Sequence, residues 1–299
     1  MIKINGKEIT FVRHFNDGTQ LIRFPKDFDI HTLVCNDTLK FEWYYDNDEE
    51  LLTLQYLVAY YRSVNNDSNI KFVLFVPYLP NARMDRVQEF FDEFKTNPKE
   101  VFTLKFFCDI INAMNFDSVI TYDVHSNVAK SLLNNYINVD PTPNITHVID
   151  GIRNSFEDKD FVVCFPDLGA LRRYGALPCF KGIRLLYGVK CRDWETSQIT
   201  GMKVISAEGD ENIDLKDTVV LVVDDIIGTG GTMSLVVKRL KEFGAECIYL
   251  EASHMENTAV ASDNEYIKPL LDNGTISKIF TSNSILRKTN KNIHLFANY

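Results

Sequence analysis

Short unbroken apolar runs, separated by amphipathic stretches, set the rhythm of this chain. Ile70–Val76, Ser118–Tyr122, Phe161–Phe165, Ile183–Val189, Val219–Val223, Cys247–Glu251 and Ile276–Thr281 read as strands. Runs of this kind, rather than alternating ones, suit parallel strands covered on both faces. Apolar residues at three- and four-residue spacing predict helices over Leu51–Arg62, Val101–Met114, Val128–Asn135, Leu235–Phe243 and Ala259–Leu271. Strands alternating with helices predict an α/β protein, and this many strands predict two sheets. The Pro-containing stretch Asp140–Thr146 is the candidate boundary, dividing residues 1–140 from 141–299.

One strand ends unusually. Val219–Val223 runs into two adjacent acids, Asp224 and Asp225, and then into a turn containing Gly228, Thr229, Gly230, Gly231 and Thr232. Glycines at a strand-to-helix turn let backbone N–H groups approach an anion, and the following helix N-terminus adds a favourable dipole. Two carboxylates beside a phosphate would repel it unless a cation or sugar hydroxyls lie between. A phosphorylated sugar satisfies both halves: the loop takes the phosphate, and the acids take hydroxyls or a bridged Mg²⁺. The turn lacks the Gly-Lys-Ser/Thr of a P-loop and the GxGxxG of a dinucleotide site.

Composition narrows the partners. A chain of 299 residues with a formal net charge of -9 has no broad nucleic-acid footprint, although local Lys and Arg suffice for small anions. No apolar run is long enough to span a bilayer, and the opening MIKINGKEITFVRHF has no signal-peptide core. The six cysteines are scattered without a CxxC pair, which predicts reduced thiols and a cytoplasmic protein without a zinc site.

Further motifs surround the acidic turn. "PYLPNARMDR" covers Pro77–Arg86, "ITYDVHSN" Ile120–Asn127, "FPDLGALRR" Phe165–Arg173 and "GVKCRDW" Gly188–Trp194. "RHFNDG" covers Arg13–Gly18 and "SNSI" Ser282–Ile285. With "VVDDIIGTGGT", these resemble, in order and over most of the chain, the motifs of the ribose-phosphate pyrophosphokinases (PRPP synthetases). The turn alone is shared with type I phosphoribosyltransferases and could not separate the two groups.

The resemblance implies two similar phosphoribosyltransferase-like domains, each a mainly parallel sheet flanked by helices. The active site would lie between them, and the last residues would pack back on the N-terminal domain. It implies transfer of the β,γ-diphosphate of ATP to the anomeric hydroxyl of a phosphoribosyl acceptor, with Mg²⁺ and release of AMP. Lys190 and Arg192 become the catalytic pair, an ammonium and a planar guanidinium closing over the transferring group. Phe15, Asp17, Arg83, Asp85, Arg86 and His125 become ATP contacts. Asp167, Asp224, Asp225 and the turn from Gly228 to Thr232 become the ribose-phosphate site. Asp123, His125 and Asp167 become metal contacts, and a homo-oligomer is implied. As isolated features, a bare Lys-x-Arg reads as a solvated pair, Arg83 and Arg86 as surface ion pairs, and His125 as a satisfied core histidine. His254 receives no role.

The chain also departs from the family pattern. Gly228 replaces the second acid of the loop (DDI-x-DT-A-GT) and Gly230 its alanine. Leu168 and Ala170 stand where small or polar residues are favoured, followed by Arg172 and Arg173. Val87–Lys99 replaces a basic segment, and Thr19 replaces the glutamate of the adenine-contacting motif. A loop with less bulk leaves two acceptors to consider, ribose 5-phosphate or the larger ADP-ribose, the latter with a role in NAD metabolism. A phosphoribosyltransferase or a non-catalytic synthetase-associated binding protein remain as alternatives.

Overall fold

The computed structural model describes residues 1–9, 12–24, 30–65, 67–86, 89–92, 95–98, 100–192 and 199–296, with backbone alone at 30–31, 89–92, 95–98, 192 and 199–200. The chain divides into two compact units, Met1–Val139 and Asp140–Tyr299.

The first unit runs through β1 (Ile2–Ile4), β2 (Lys7–Glu8), β3 (Val12–His14), β4 (Gln20–Ile22), β5 (Thr38–Trp43), α1 (Glu49–Val64) and β6 (Lys71–Phe75). It continues with β7 (Glu89–Asp92), β8 (Lys95–Pro98), α2 (Thr103–Ala113), β9 (Ser118–Tyr122), α3 (Val128–Leu132) and β10 (Tyr136–Val139). Among the described residues its main sheet has the order β10-β9-β6-β5-β1-β2. The strands from β10 to β5 pair in parallel, whereas β1 and β2 add an antiparallel edge. Leu39, Phe41 and Trp43 of β5 and Phe72 and Leu74 of β6 share one core with Leu54 and Leu57 of α1 and Leu104 and Phe107 of α2. Two hairpins, β3–β4 and β7–β8, stand apart from this sheet.

The second unit comprises α4 (Thr142–Ser155), β11 (Asp160–Phe165), α5 (Leu168–Tyr174), β12 (Arg184–Arg192), β13 (Ile199–Ser206) and β14 (Thr218–Ile227). Then come α6 (Gly231–Glu242), β15 (Cys247–Met255), α7 (Ile267–Asp272), β16 (Lys278–Ser282) and β17 (Ile293–Phe296). The sheet order is β13-β12-β11-β14-β15-β16-β17, parallel except for the β12–β13 pair. The unbroken apolar run of β14 now has its reason. Val220 and Val222 enter one core with Val236, Val237 and Leu240 of α6. Val219, Leu221 and Val223 enter the opposite core with Ile145, Ile149 and Ile152 of α4. A strand sandwiched between two helical layers needs apolar residues on both faces.

A local expectation changes. The single helix expected over Ala259–Leu271 is a 3₁₀ turn, Asn257–Val260, followed by the short α7. Asn264 breaks it: its side-chain Oδ1 accepts from the N–H groups of Tyr266, Ile267 and Lys268, capping the new helix in place of continuing the old one. The boundary stretch Asp140–Thr146 begins a helix, with Pro141 at the N-cap and Pro143 in its first turn, where a missing N–H costs nothing. β13 begins at Ile199 and pairs antiparallel with β12. The final described strand, Ile293–Phe296, forms the edge of the second unit's own sheet. No helix among the described residues is long and apolar enough to cross a membrane.

Gly188 sits in β12 where the strand crosses α6 and the end of β11. A Cβ there would lie 2.5 Å from the carbonyl oxygen of Pro166 and 3.0 Å from both Met202 Sδ and Val236 Cγ2. Gly188→Ala should therefore force β12 away from backbone that cannot yield, lowering stability by about 2 kcal/mol. A urea midpoint indistinguishable from the parent's would show that this approach is not a constraint.

Candidate functional site

In the second unit the ends of three neighbouring parallel strands converge. β11 ends at Phe165, and Asp167 then caps α5, its Oδ1 accepting from the N–H groups of Gly169 at 2.9 Å and Ala170 at 3.1 Å. The other oxygen, Oδ2, lies 3.7 Å from Lys190 Nζ, which projects from β12. Leu168 is exposed beside it, and Ala170 is buried under α5. The backbone of Arg192 ends β12; its side chain, and the residues 193–198 that follow, lie outside the described residues.

β14 runs farther than its apolar core, so Asp224 and Asp225 are still in the strand, with Asp224 opposite Ala252 of β15. Asp225 is buried, and its N–H donates to Asp224 Oδ1 at 2.9 Å. Loss of hydration, followed by the charge of Asp225, pushes the Asp224 carboxyl well above the usual carboxylate range. Such a group resists ionising until positive charge or a donor arrives.

The turn follows at once. Gly230 is the N-cap of α6, with φ +88° in the left-handed region, where a side chain is strained. The first N–H groups of α6, those of Gly231 and Thr232 among them, have no intrahelical acceptor by geometry and face the turn as anion donors. Residues that sequence reading did not single out hold this turn. Asn264 Nδ2 donates to the carbonyl of Thr229 at 2.9 Å, and Ile267 fills the space a Cβ on Gly230 would need, its Cγ1 only 2.1 Å from that position. Tyr266 Cε1 lies 4.0 Å from where a Cβ on Gly231 would sit, and the carboxylate of Glu256 flanks the corresponding position at Gly228. Gly230 therefore brings no extra room: Ile267 occupies it. The run Ser262-Asp263-Asn264 ahead of Ile267, a helix-start signal, was the clue available in the sequence.

His254, left without a role by the sequence, is buried at the end of β15, with Nδ1 2.8 Å from the hydroxyl of Ser284. It thereby joins the strand end to the Ser282–Ile285 motif, where the Ser284 N–H donates to Ser282 Oγ.

The first unit carries the remaining motifs. Arg83, Asp85 and Arg86 follow β6, and Asp123 and His125 follow its parallel neighbour β9. The two segments are tied by bonds from Val76 N–H to Ile120 O and from Tyr122 N–H to Pro77 O. Arg83, Arg86 and His125 are exposed, whereas Asp123 is buried with φ +42°. Phe15 and Asp17 form the tip of the β3–β4 hairpin. Phe15 is exposed, and Asp17 Oδ1 accepts from Thr19 N–H and Thr19 Oγ1, which lowers the Asp17 pKa. Thr19 thus closes the hairpin tip with Asp17. The strand pair beside the tip is held to α1 by the His14–Glu49 contact at 2.6 Å and by Gln20, which binds Glu49 O and Thr53. Asp123 and His125 belong to the first unit and Asp167 to the second. Among the described residues no group of three or more His, Cys, Asp or Glu side chains gathers as a ready cation cage.

The model of the phosphoribosyl transferase domain matches residues 139–280, the segment that carries the strand end with paired acids, the glycine turn and the helix N-terminus. Over most of its length the chain is similar to enzymes of one class. It is 30% identical to ribose-phosphate pyrophosphokinase 2 of Archaeoglobus fulgidus over 222 residues, 73% of each chain. It is 24% identical to the ribose-phosphate pyrophosphokinase of Porphyromonas gingivalis, over 92% of this chain and 77% of that one. The phosphoribosylpyrophosphate synthetase of Mycobacterium smegmatis shares the fold, with a TM-score of 0.69 at 19% identity, over 95% of this chain and 84% of that one. The chain belongs to the ribose-phosphate pyrophosphokinase family, a family of diphosphotransferases.

The Asp224 shift has a measurable sign. Its folded pKa lies above the unfolded value near 3.8, so between the two the folded state holds the extra proton and stability falls as pH rises. Asp224→Asn removes that titration. It should raise the urea midpoint at about pH 8 and change little near the unfolded pKa. A variant equally stabilised at both ends, or destabilised at the upper one, would contradict the assignment.

Proposed function

We propose that this chain moves the terminal diphosphate of ATP to the anomeric hydroxyl of ribose 5-phosphate. The hydroxyl oxygen attacks the β-phosphorus, the bond from that phosphorus to the α,β-bridging oxygen breaks, AMP leaves with that oxygen, and the hydroxyl proton is released. The observation that carries the reading is the set at the ends of β11, β12 and β14: an ammonium, an acid pair and an anion-binding turn on one sheet edge.

In this reading the turn from Gly228 to Thr232 holds the 5-phosphate through backbone N–H groups and the Thr229 and Thr232 hydroxyls. Asp224 and Asp225 take the ribose hydroxyls. Lys190 and Arg192 meet the charge that develops on the transferring phosphoryl oxygens, the dominant form of catalysis where little covalent work falls to the protein. Asp167 keeps the Lys190 ammonium at the sheet edge. Phe15, Asp17, Arg83, Asp85, Arg86 and His125 hold ATP from the first unit, with Asp123 and His125 near its phosphates.

The donor set fits Mg²⁺, an ion that prefers oxygen ligands, keeps several waters and is usually held by one or two carboxylates plus substrate phosphates. Asp224, whose proton affinity is already raised by burial and then by Asp225, and Asp225 itself would hold it on the sugar side. When bound, it supplies positive charge that neutralises the acid pair and the phosphates.

The relatives' names support ribose 5-phosphate as the acceptor. ADP-ribose was favoured by bulk lost from the loop and by Arg172 and Arg173; the first ground weakens, because Ile267 fills that space at Gly230. At Gly228 the Glu256 carboxylate lies nearby, which disfavours a second phosphate there. AMP release from ATP and Mg²⁺, measured with ribose 5-phosphate and separately with ADP-ribose, tests the reading, and product mass locates the diphosphate. We expect release with the smaller sugar, and Lys190→Ala, an unfolding-neutral change, should reduce it on the order of a thousandfold. AMP from neither acceptor would refute the reaction; AMP only with ADP-ribose would refute the acceptor.

A further inference from the structure

The loop after β14 lacks an acid of its own beyond Asp225, yet a carboxylate stands beside it. Glu256 follows β15 immediately, and its N–H donates to the carbonyl of Ile227 at 2.9 Å, carrying the β14–β15 pairing to the mouth of the loop. A Cβ placed on Gly228 would lie 3.5 Å from Glu256 Oε1 and 3.7 Å from Oε2. The carboxylate therefore occupies the flank that an acidic side chain at 228 would itself have used. Its orientation is fixed from the other side, where Thr258 Oγ1 donates to Oε2 at 3.0 Å. Asn264 then links this turn to the loop by donating to both the Thr258 and Thr229 carbonyls at 2.9 Å. Gly228, with no side chain, puts no atoms of its own between Glu256 and the loop.

We propose that Glu256 is a specificity-determining residue for the acceptor, supplying from the neighbouring strand the carboxylate that the loop lacks at 228. Oε1, the oxygen nearer Gly228, accepts a hydrogen bond from a hydroxyl of a five-carbon sugar phosphate whose phosphate lies on the α6 N-terminus. The assignment rests on the acceptor reading above. It makes the phosphosugar site a product of two chain segments, with the acid and the glycine interdependent: two carboxylates at this spacing repel, and none leaves a sugar hydroxyl without its acceptor.

The test is a cycle of three variants, Glu256→Gln, Gly228→Asp and the two combined, with ribose 5-phosphate binding measured by calorimetry and AMP release measured in parallel. Glu256→Gln keeps the side chain's size and an oxygen for Thr258, and should weaken ribose 5-phosphate binding about tenfold while leaving KM for ATP nearly unchanged. Gly228→Asp alone should also weaken it, by bringing a second carboxylate against the first. In the combined variant the new aspartate should restore most of the loss, a rescue that a merely structural role in holding Thr258 would not produce. Thermal unfolding of each variant separates misfolding from lost contacts, and Glu256→Ala gives a second route to the same loss. Parent-like binding by Glu256→Gln, or a combined variant no better than Glu256→Gln, overturns the assignment. A parent protein that binds ribose 5-phosphate without releasing AMP overturns the reaction instead and leaves Glu256 standing. One that binds no ribose 5-phosphate overturns both.

Discussion

The lateral pairing of β14 with β15 is the interaction on which the second unit's site depends. The register holds from Val219 opposite Cys247 to Ile227 opposite Met255, and one further bond reaches Glu256. A slip of one residue would exchange the two faces of β14 and carry its acids and the turn out of register with Glu256. Alternate residues of β14 are committed to two different cores, so that slip is strongly opposed on both sides. Hydrophobic packing thus fixes, at the sheet's edge, where two carboxylates and a glycine turn must stand.

Those polar groups are not comfortable there. Asp224 and Asp225 are neighbours with little water between them, and Glu256 adds a third acid close by. Against these stand the Lys190 ammonium, steadied by Asp167, and the unsatisfied N–H groups at the start of α6. The arrangement separates charge by kind: anion donors line the turn, acids sit just before it, and a cation rises from β12. A ligand that is phosphate at one end and hydroxyls at the other relieves both sets together. Local cost of this sort, tolerated because the sheet beneath is well packed, is expected at a functional site.

Much of this architecture is legible in the sequence. The run Val219–Val223 suits a doubly covered strand, because five consecutive apolar residues leave no polar face for water. Asp224, Asp225 and the glycines mark the turn as the candidate site through their residue types, since backbone approach and hydroxyl recognition each demand particular side chains or their absence. What the sequence misjudged, it misjudged locally. Ala259–Leu271 has helical spacing, but the Asn264 side chain competes for backbone N–H groups and starts a new helix, an outcome that spacing alone does not encode.

Position between distant segments belonged to the tertiary structure. Sequence reading took Gly230 for a gain of space, whereas the chain brings Ile267 back to fill that space and leaves glycine the fitting residue for a left-handed turn. Gly228 read as a lost acid, and only the β14–β15 pairing brings Glu256, 28 residues on, to the same flank. Periodicity and residue type determine which faces a segment buries and what chemistry it can offer, because both act over a few residues. Which side chain meets which loop is decided by sheet register and packing, which join positions that no local pattern connects.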